Sequence, residues 1–206
     1  MKELIQFAFD FFGYVIPGLF VVFSISILAV PIESFKGAIA LTKDFDAGLG
    51  TVLVIVAYVI GFCVYPIGRF LYKSIGLKLF GNKINKDSNK SDLSVPIKYA
   101  LIREHSPMNF KYVESWNIYC AMSHNLMVAC LIYCGVAIVK LIEGANSGFC
   151  ILSFFGANSE FWILSFLMSF CLFLILTHRA VTYFHWAAYD INATICSLDL
   201  KDKPEE

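Results

Sequence analysis

Charge disappears from this sequence four times, each time for long enough to matter. Between Asp10 and Glu33 lie 22 uncharged residues, and 22 more lie between Asp46 and Arg69. Between Glu114 and Lys140 there are 25, interrupted only by His124, and between Glu160 and Arg179 there are 18, closing on His178. A hydrocarbon core of ~30 Å needs about 20 helical residues, because each adds only ~1.5 Å of rise. Open sheets cannot cross lipid with unpaired backbone groups, so helices are the solution. The pattern predicts an all-α fold, an integral membrane four-helix bundle with spans at about 13–31, 49–69, 118–140 and 160–178. A soluble helix would keep one polar face along its length. Residues 18–30 and 163–176 keep none.

Between the spans the pattern changes in kind. Glu3, Gln6 and Asp10 recur at helical spacing opposite Ile5, Ala8 and Phe12, which predicts an interfacial turn or two before the chain enters at Gly13. Pro17 falls near the start of the first span and Pro66 one turn before Arg69. A membrane helix accepts such a proline when neighbours satisfy the carbonyl it frees. Ala57 with Gly61, and Cys130 with Cys134, form small-xxx-small pairs that let helices approach closely in a bundle or oligomer. Residues 148–156 are apolar but too short to cross, and read as an interfacial turn between spans three and four.

The central segment reads as a flexible loop over 81–105, because 81–92 has a single apolar residue and buries too little to offset chain entropy. Order resumes at Ser106-Pro107, an N-cap followed by proline at the first helical position. From there helical pattern runs to about Ile142, so the third helix projects several turns beyond the bilayer. After the fourth span, Val181, Phe184, Ala188, Ile191, Ile195 and Leu198 form an unbroken heptad stripe. That stripe predicts an amphipathic extension over 179–200 and a candidate interface. Its cover is the third helix's own extension, a sister subunit, a soluble partner or the membrane surface.

Composition agrees with the spans: 58% hydrophobic and 16% charged, against roughly 45–50% and 25% in soluble domains. Charge adds orientation. Thirteen of the sixteen lysines and arginines lie at Lys2, in the stretch from Arg69 to Lys111, or at Arg179, Lys201 and Lys203. Only Lys36, Lys43 and Lys140 lie on the other side. Positive loops stay in the cytoplasm, which predicts both termini and both helical extensions there. The seven cysteines fall mostly within spans, where they pack as small apolar residues, so no disulfide framework is expected.

Ionisable residues at membrane depth mark candidate sites. Ser123, His124 and Asn125 form the one polar triplet within a span, readable as a proton relay or as an interhelical hydrogen-bond cluster. Cys120 and His124 share a helical face, but two ligands make no metal site. No catalytic residue, cofactor site or metal site is assigned, and no phosphate loop, nucleophile elbow or zincin motif is present in the sequence. The expected partners are the lipid bilayer, further copies of the chain and a cytosolic protein, with no direct nucleic-acid contact.

Two resemblances extend this reading. Arg179 and His185 have a spacing that resembles the Arg-x4–6-His motif of HEPN ribonucleases, which implies a membrane-bound ribonuclease as an outside alternative. Asp10-Phe-Phe-Gly-Tyr-Val-Ile-Pro-Gly18, His105-Ser-Pro-Met-Asn-Phe110 with Trp116-Asn117, and Met122-Ser-His-Asn-Leu126 resemble segments of small four-span bacterial membrane proteins. Some of that layout stand beside soluble partners in anti-phage loci, such as the Kiwa membrane subunit and the membrane accessory proteins near Cas13 nucleases. That resemblance implies a non-catalytic, oligomeric subunit that docks or regulates a cytosolic partner in defence. The alternative is a channel or pore-forming effector, with Pro17, Pro66 and His124 among its moving parts.

Overall fold

The computed structural model describes residues 11–29, 46–81, 93–146 and 157–198. The described residues are helical and contain no strand. α1 (Ile16–Ala29) is entered through one π-helical turn, Phe11–Val15. α2 (Ala47–Leu71) continues through a second π turn, Tyr72–Gly76, into the short α3 (Leu77–Phe80). α4 (Val95–His105), α5 (Pro107–Asn146) and α6 (Ala157–Ser197) follow. Among the described residues, four helical stretches are long and apolar enough to cross a membrane: Phe11–Leu28, Ala47–Phe80, Pro107–Glu143 and Ser159–Ser197. The chain is a multi-pass membrane protein on that evidence. The amphipathic turn around Glu3, Gln6 and Asp10 and the apolar stretch 148–156 lie outside the described residues.

Local chemistry sets the helix starts. Asp46 caps α2, its carboxylate accepting from the Leu49 amide at 2.7 Å and so satisfying one of the donors a helix start leaves open. α5 begins at Pro107, and the Ser106 carbonyl just before it accepts from the Phe110 amide at 3.0 Å.

α5 is the hub. It runs against α6 from Val136 and Trp162 at one end to Val113, Ile191 and Ile195 at the other. α1 and α2 pack on each other and on α5. Here the helices touch backbone to backbone. A Cβ at Gly18 would fall on the Ala57 carbonyl, one at Gly61 on the Tyr14 carbonyl, and one at Gly68 on the His124 carbonyl. In lipid no water exclusion drives such contacts, so close approach and dispersion must hold them. The outward residues of α2 and α6, among them Ile55, Phe62, Leu164 and Met168, are apolar and exposed, as lipid contact requires.

Polar residues bracket an apolar stretch on each long helix. Glu160 and Arg179 on α6 are about 29 Å apart along the helix, and Glu143 and His124 on α5 are also about 29 Å apart. Gly68 against His124, and the Ala180 carbonyl against the Cys120 thiol, bring Arg69, His124 and Arg179 to one level. An apolar slab therefore separates a Glu160 end from an Arg179 end. Past the Arg179 end, α5 and α6 continue as a two-helix hairpin for roughly another 25 Å.

One expectation is corrected. The loop expected over 81–105 contains a helix, α4, capped at Ser94 and running from Val95 to His105. Ser94 occupies the cap position and Pro96 stands in the first turn, where a missing amide costs nothing. Ile102, 1% exposed, then closes onto Val113, Ala187, Ile191 and Ile195. An 11-residue helix is marginal alone, so this packing is what holds α4.

Candidate functional site

The triplet Ser123-His124-Asn125 is buried where α1, α2 and α5 meet. Each member has a different neighbour, because consecutive helical residues point about 100° apart. Ser123 turns its hydroxyl back to the Tyr119 carbonyl at 2.8 Å. His124 faces α2, its ring 4.8 Å from that of Tyr72, and its Nε2 lies 3.6 Å from the Cys120 sulfur.

Asn125 has the clearest task. Pro17 carries no N–H, so the Gly13 carbonyl four residues earlier loses its helical donor. The Asn125 amide reaches across from α5 and donates to that carbonyl at 2.7 Å. An unsatisfied carbonyl in lipid is expensive, so Pro17 and Asn125 work as a pair. Other polar groups in the slab are settled in the same way: Ser169 donates to the Cys130 carbonyl at 3.0 Å, and Thr177 to the Phe173 carbonyl at 2.7 Å. Three buried atoms at the junction find no partner among the described residues: Tyr72 Oη, His124 Nδ1 and Asn125 Oδ1. Tyr72 belongs to the π turn after α2, and nothing in the sequence reading singled it out. π turns recur at functional positions.

The heptad stripe divides in two. Val181, Ile191 and Ile195 are buried within the chain itself. Val181 joins the Tyr72, Cys120 and Met127 cluster, while Ile191 and Ile195 pack on α4 and on Val113 of α5. These three positions of the expected interface are thus internal, and for Ile191 and Ile195 the cover comes in part from Ile102 of α4. Phe184 and Leu198 remain exposed, and Ala188 is half-buried.

The hairpin carries a further set of residues that sequence reading missed. Trp116 stacks on Tyr183 with ring centres 5.9 Å apart and meets Trp186 edge-on at 4.9 Å. Its indole N–H donates to Asp190 Oδ2 at 2.8 Å. On the α4 side, Lys98 donates to Asn192 at 3.0 Å and Asn117 to Tyr99 at 2.5 Å. The signal was present as aromatics at 112, 116 and 119 on α5, spaced by four and three.

Arg179 and His185 lie on α6 about 120° apart around the helix, Arg179 exposed and His185 half-buried. One chain therefore does not converge the two on a common point. No third His, Cys, Asp or Glu joins Cys120 and His124 among the described residues. Comparison with family models, with curated proteins and with solved structures gave no match.

Proposed function

We propose that this chain is a non-catalytic, multi-pass membrane subunit of a bacterial inner membrane that docks a cytosolic protein. Both termini and the α4–α5–α6 projection face the cytoplasm in this reading. The observation that carries it is the hairpin beyond the Arg179 end. Crossing lipid requires neither its roughly 25 Å of extra helix nor its separate core of Ile102, Val113, Ala187, Ile191 and Ile195. That core presents Tyr112, Phe184, Trp186 and Leu198 outward, in a region clear of the apolar slab. Exposed aromatic and aliphatic groups of this kind mark interaction surfaces. The basic residues at the Arg179 end support the orientation by the positive-inside rule.

Orientation is tested first. Reporter fusions at Lys90 and after Glu206 are expected to report cytoplasm, and fusions near Lys36 or Ser147 the opposite side. An external signal at Lys90 would overturn the reading. Docking is then tested with a photocrosslinking residue in place of Trp186, and with another in place of lipid-facing Leu167 as control. A soluble protein joined specifically to the hairpin, and co-purifying with the wild-type chain, is the expected outcome. Adducts to lipid alone from both positions would sink the docking half.

A second reading rests on the three unpartnered polar atoms at the α1–α2–α5 junction. In a channel or pore-forming effector these would line part of a path. Single-channel steps in planar bilayers that vanish in His124→Ala, with assembly unchanged, would favour it.

A further inference from the structure

On the face of the hairpin that α4 does not line, α5 and α6 leave a cleft of ≈ 340 Å³. Asn109, Tyr112, Asp190, Ala193, Thr194 and Ser197 line it. Asp190 is the single charged residue among these six. The Trp116 indole donates to one of its oxygens at 2.8 Å, which anchors that oxygen and leaves other acceptor positions of the carboxylate. No basic side chain pairs with Asp190 among the described residues, where the one ion pair is Lys140 with Glu143. Beside the carboxylate lies aromatic surface. Tyr112, which lines the cleft, stands 59% exposed.

Each class of occupant can be weighed against this chemistry. An anion would be repelled. A purely apolar group would strip water from Asp190 and return no hydrogen bond. A cation suits the site, and a planar guanidinium suits it best, because it pairs with a carboxylate through parallel N–H donors and also stacks on aromatic faces. Lipid is a poor source of that cation. Asp190 lies 11 residues past Arg179 on one continuous helix, about 16 Å beyond the Arg179 level. The headgroup zone adds only about 5–8 Å on each side of the hydrocarbon.

We infer that this cleft receives an arginine side chain from the cytosolic protein partner, with Asp190 as its counter-ion and Tyr112 as its aromatic wall. The inference rests on the docking reading above and adds the chemistry of the docked group. N-acetyl-arginine methylamide is the probe, titrated against the full chain in detergent and followed by tryptophan fluorescence, for which Trp116 and Trp186 are the local reporters. The uncharged isostere N-acetyl-citrulline methylamide is the control. A saturable change with the arginine probe is expected, its midpoint at least tenfold lower than for citrulline. Asp190→Asn is expected to raise the arginine midpoint at least tenfold. Ala193→Phe, which fills the cleft and leaves Asp190 in place, should do the same. Equal midpoints for the two probes, or an unchanged midpoint in both variants, would overturn the inference. The docking reading is separable: partner co-purification that survives Asp190→Asn at full strength leaves docking intact and removes the arginine.

Discussion

The slab half and the projecting half share the same two long helices, but the helices added to each, α1 and α2 in one and α4 in the other, are held by different contacts. Within the slab, α2 meets α1 and α5 backbone to backbone: Gly18 on Ala57, Gly61 on Tyr14, Gly68 on His124. In the projection, contact is between large side chains. Ile102, Val113, Ile191 and Ile195 fill the centre, with hydrogen bonds from Trp116, Lys98 and Asn117 around them. The contrast fits the proposed placement, with lipid around the slab and water around the projection. Lipid tails are as apolar as leucine, so burying a leucine there gains little and proximity must supply the attraction. Where water is present, each buried isoleucine contributes about 1.5–3 kcal/mol, and helices stand apart to make room for it.

This contrast can be broken most severely at the crossings. Gly61→Leu forces α1 off α2, since even a Cβ meets the Tyr14 carbonyl. The cost is expected to exceed the ~3 kcal/mol at the upper end of ordinary overpacking, and the purified variant should lose its cooperative melt in detergent. Gly50→Leu, with nothing within 4 Å of its Cβ position, should melt with the wild type. Equal behaviour of the two would refute the backbone-contact account.

A smaller loss is expected from Ile195→Ala in the projection. Ile195 is fully buried, and such truncations cost about 2–5 kcal/mol. The loss should be local: hydrogen exchange should quicken in α4 and the distal parts of α5 and α6, while α1 and α2 stay protected. Quickening spread evenly over all helices would show that the halves are not energetically separate.

Smallest is Asn125→Ala, at about 1 kcal/mol for one interhelical hydrogen bond. Its cause makes it specific. Pro17→Ala returns an amide to α1 that can satisfy Gly13 from within the helix, so Asn125→Ala should cost less than half as much on that background. Additive losses in the double variant, measured by detergent melts, would mean that Asn125 is not there for the proline.

The spans could be read from the sequence because a bilayer imposes one simple demand, the absence of charge over a fixed length, and local sequence answers it. The heptad stripe could be read for the same reason, since Val181 to Leu198 repeat on one helix. The stripe's cover could not be read. α4 holds Lys98, Arg103, Glu104 and His105 among its 11 residues, follows a polar run, and depends on α5 and α6 for its order. The polar triplet was found because polarity inside a span stands out, but its most definite task was hidden. Asn125 answers a carbonyl 112 positions away, and no local pattern connects them.

That distance has a consequence in time. α1 is made before α5, and the group that completes it comes 112 residues later. At ~5–20 residues per second, the ribosome needs roughly 6–20 s to deliver Asn125. Over that interval Gly13 has no donor from α5, and α1 has a reason to stay near the polar environment of the insertion machinery. Chains stalled before residue 125 should leave a cysteine placed at position 13 open to a water-soluble thiol reagent, and chains stalled well after it should not. A helix made early is in this sense finished late, and synthesis order becomes a condition of the fold.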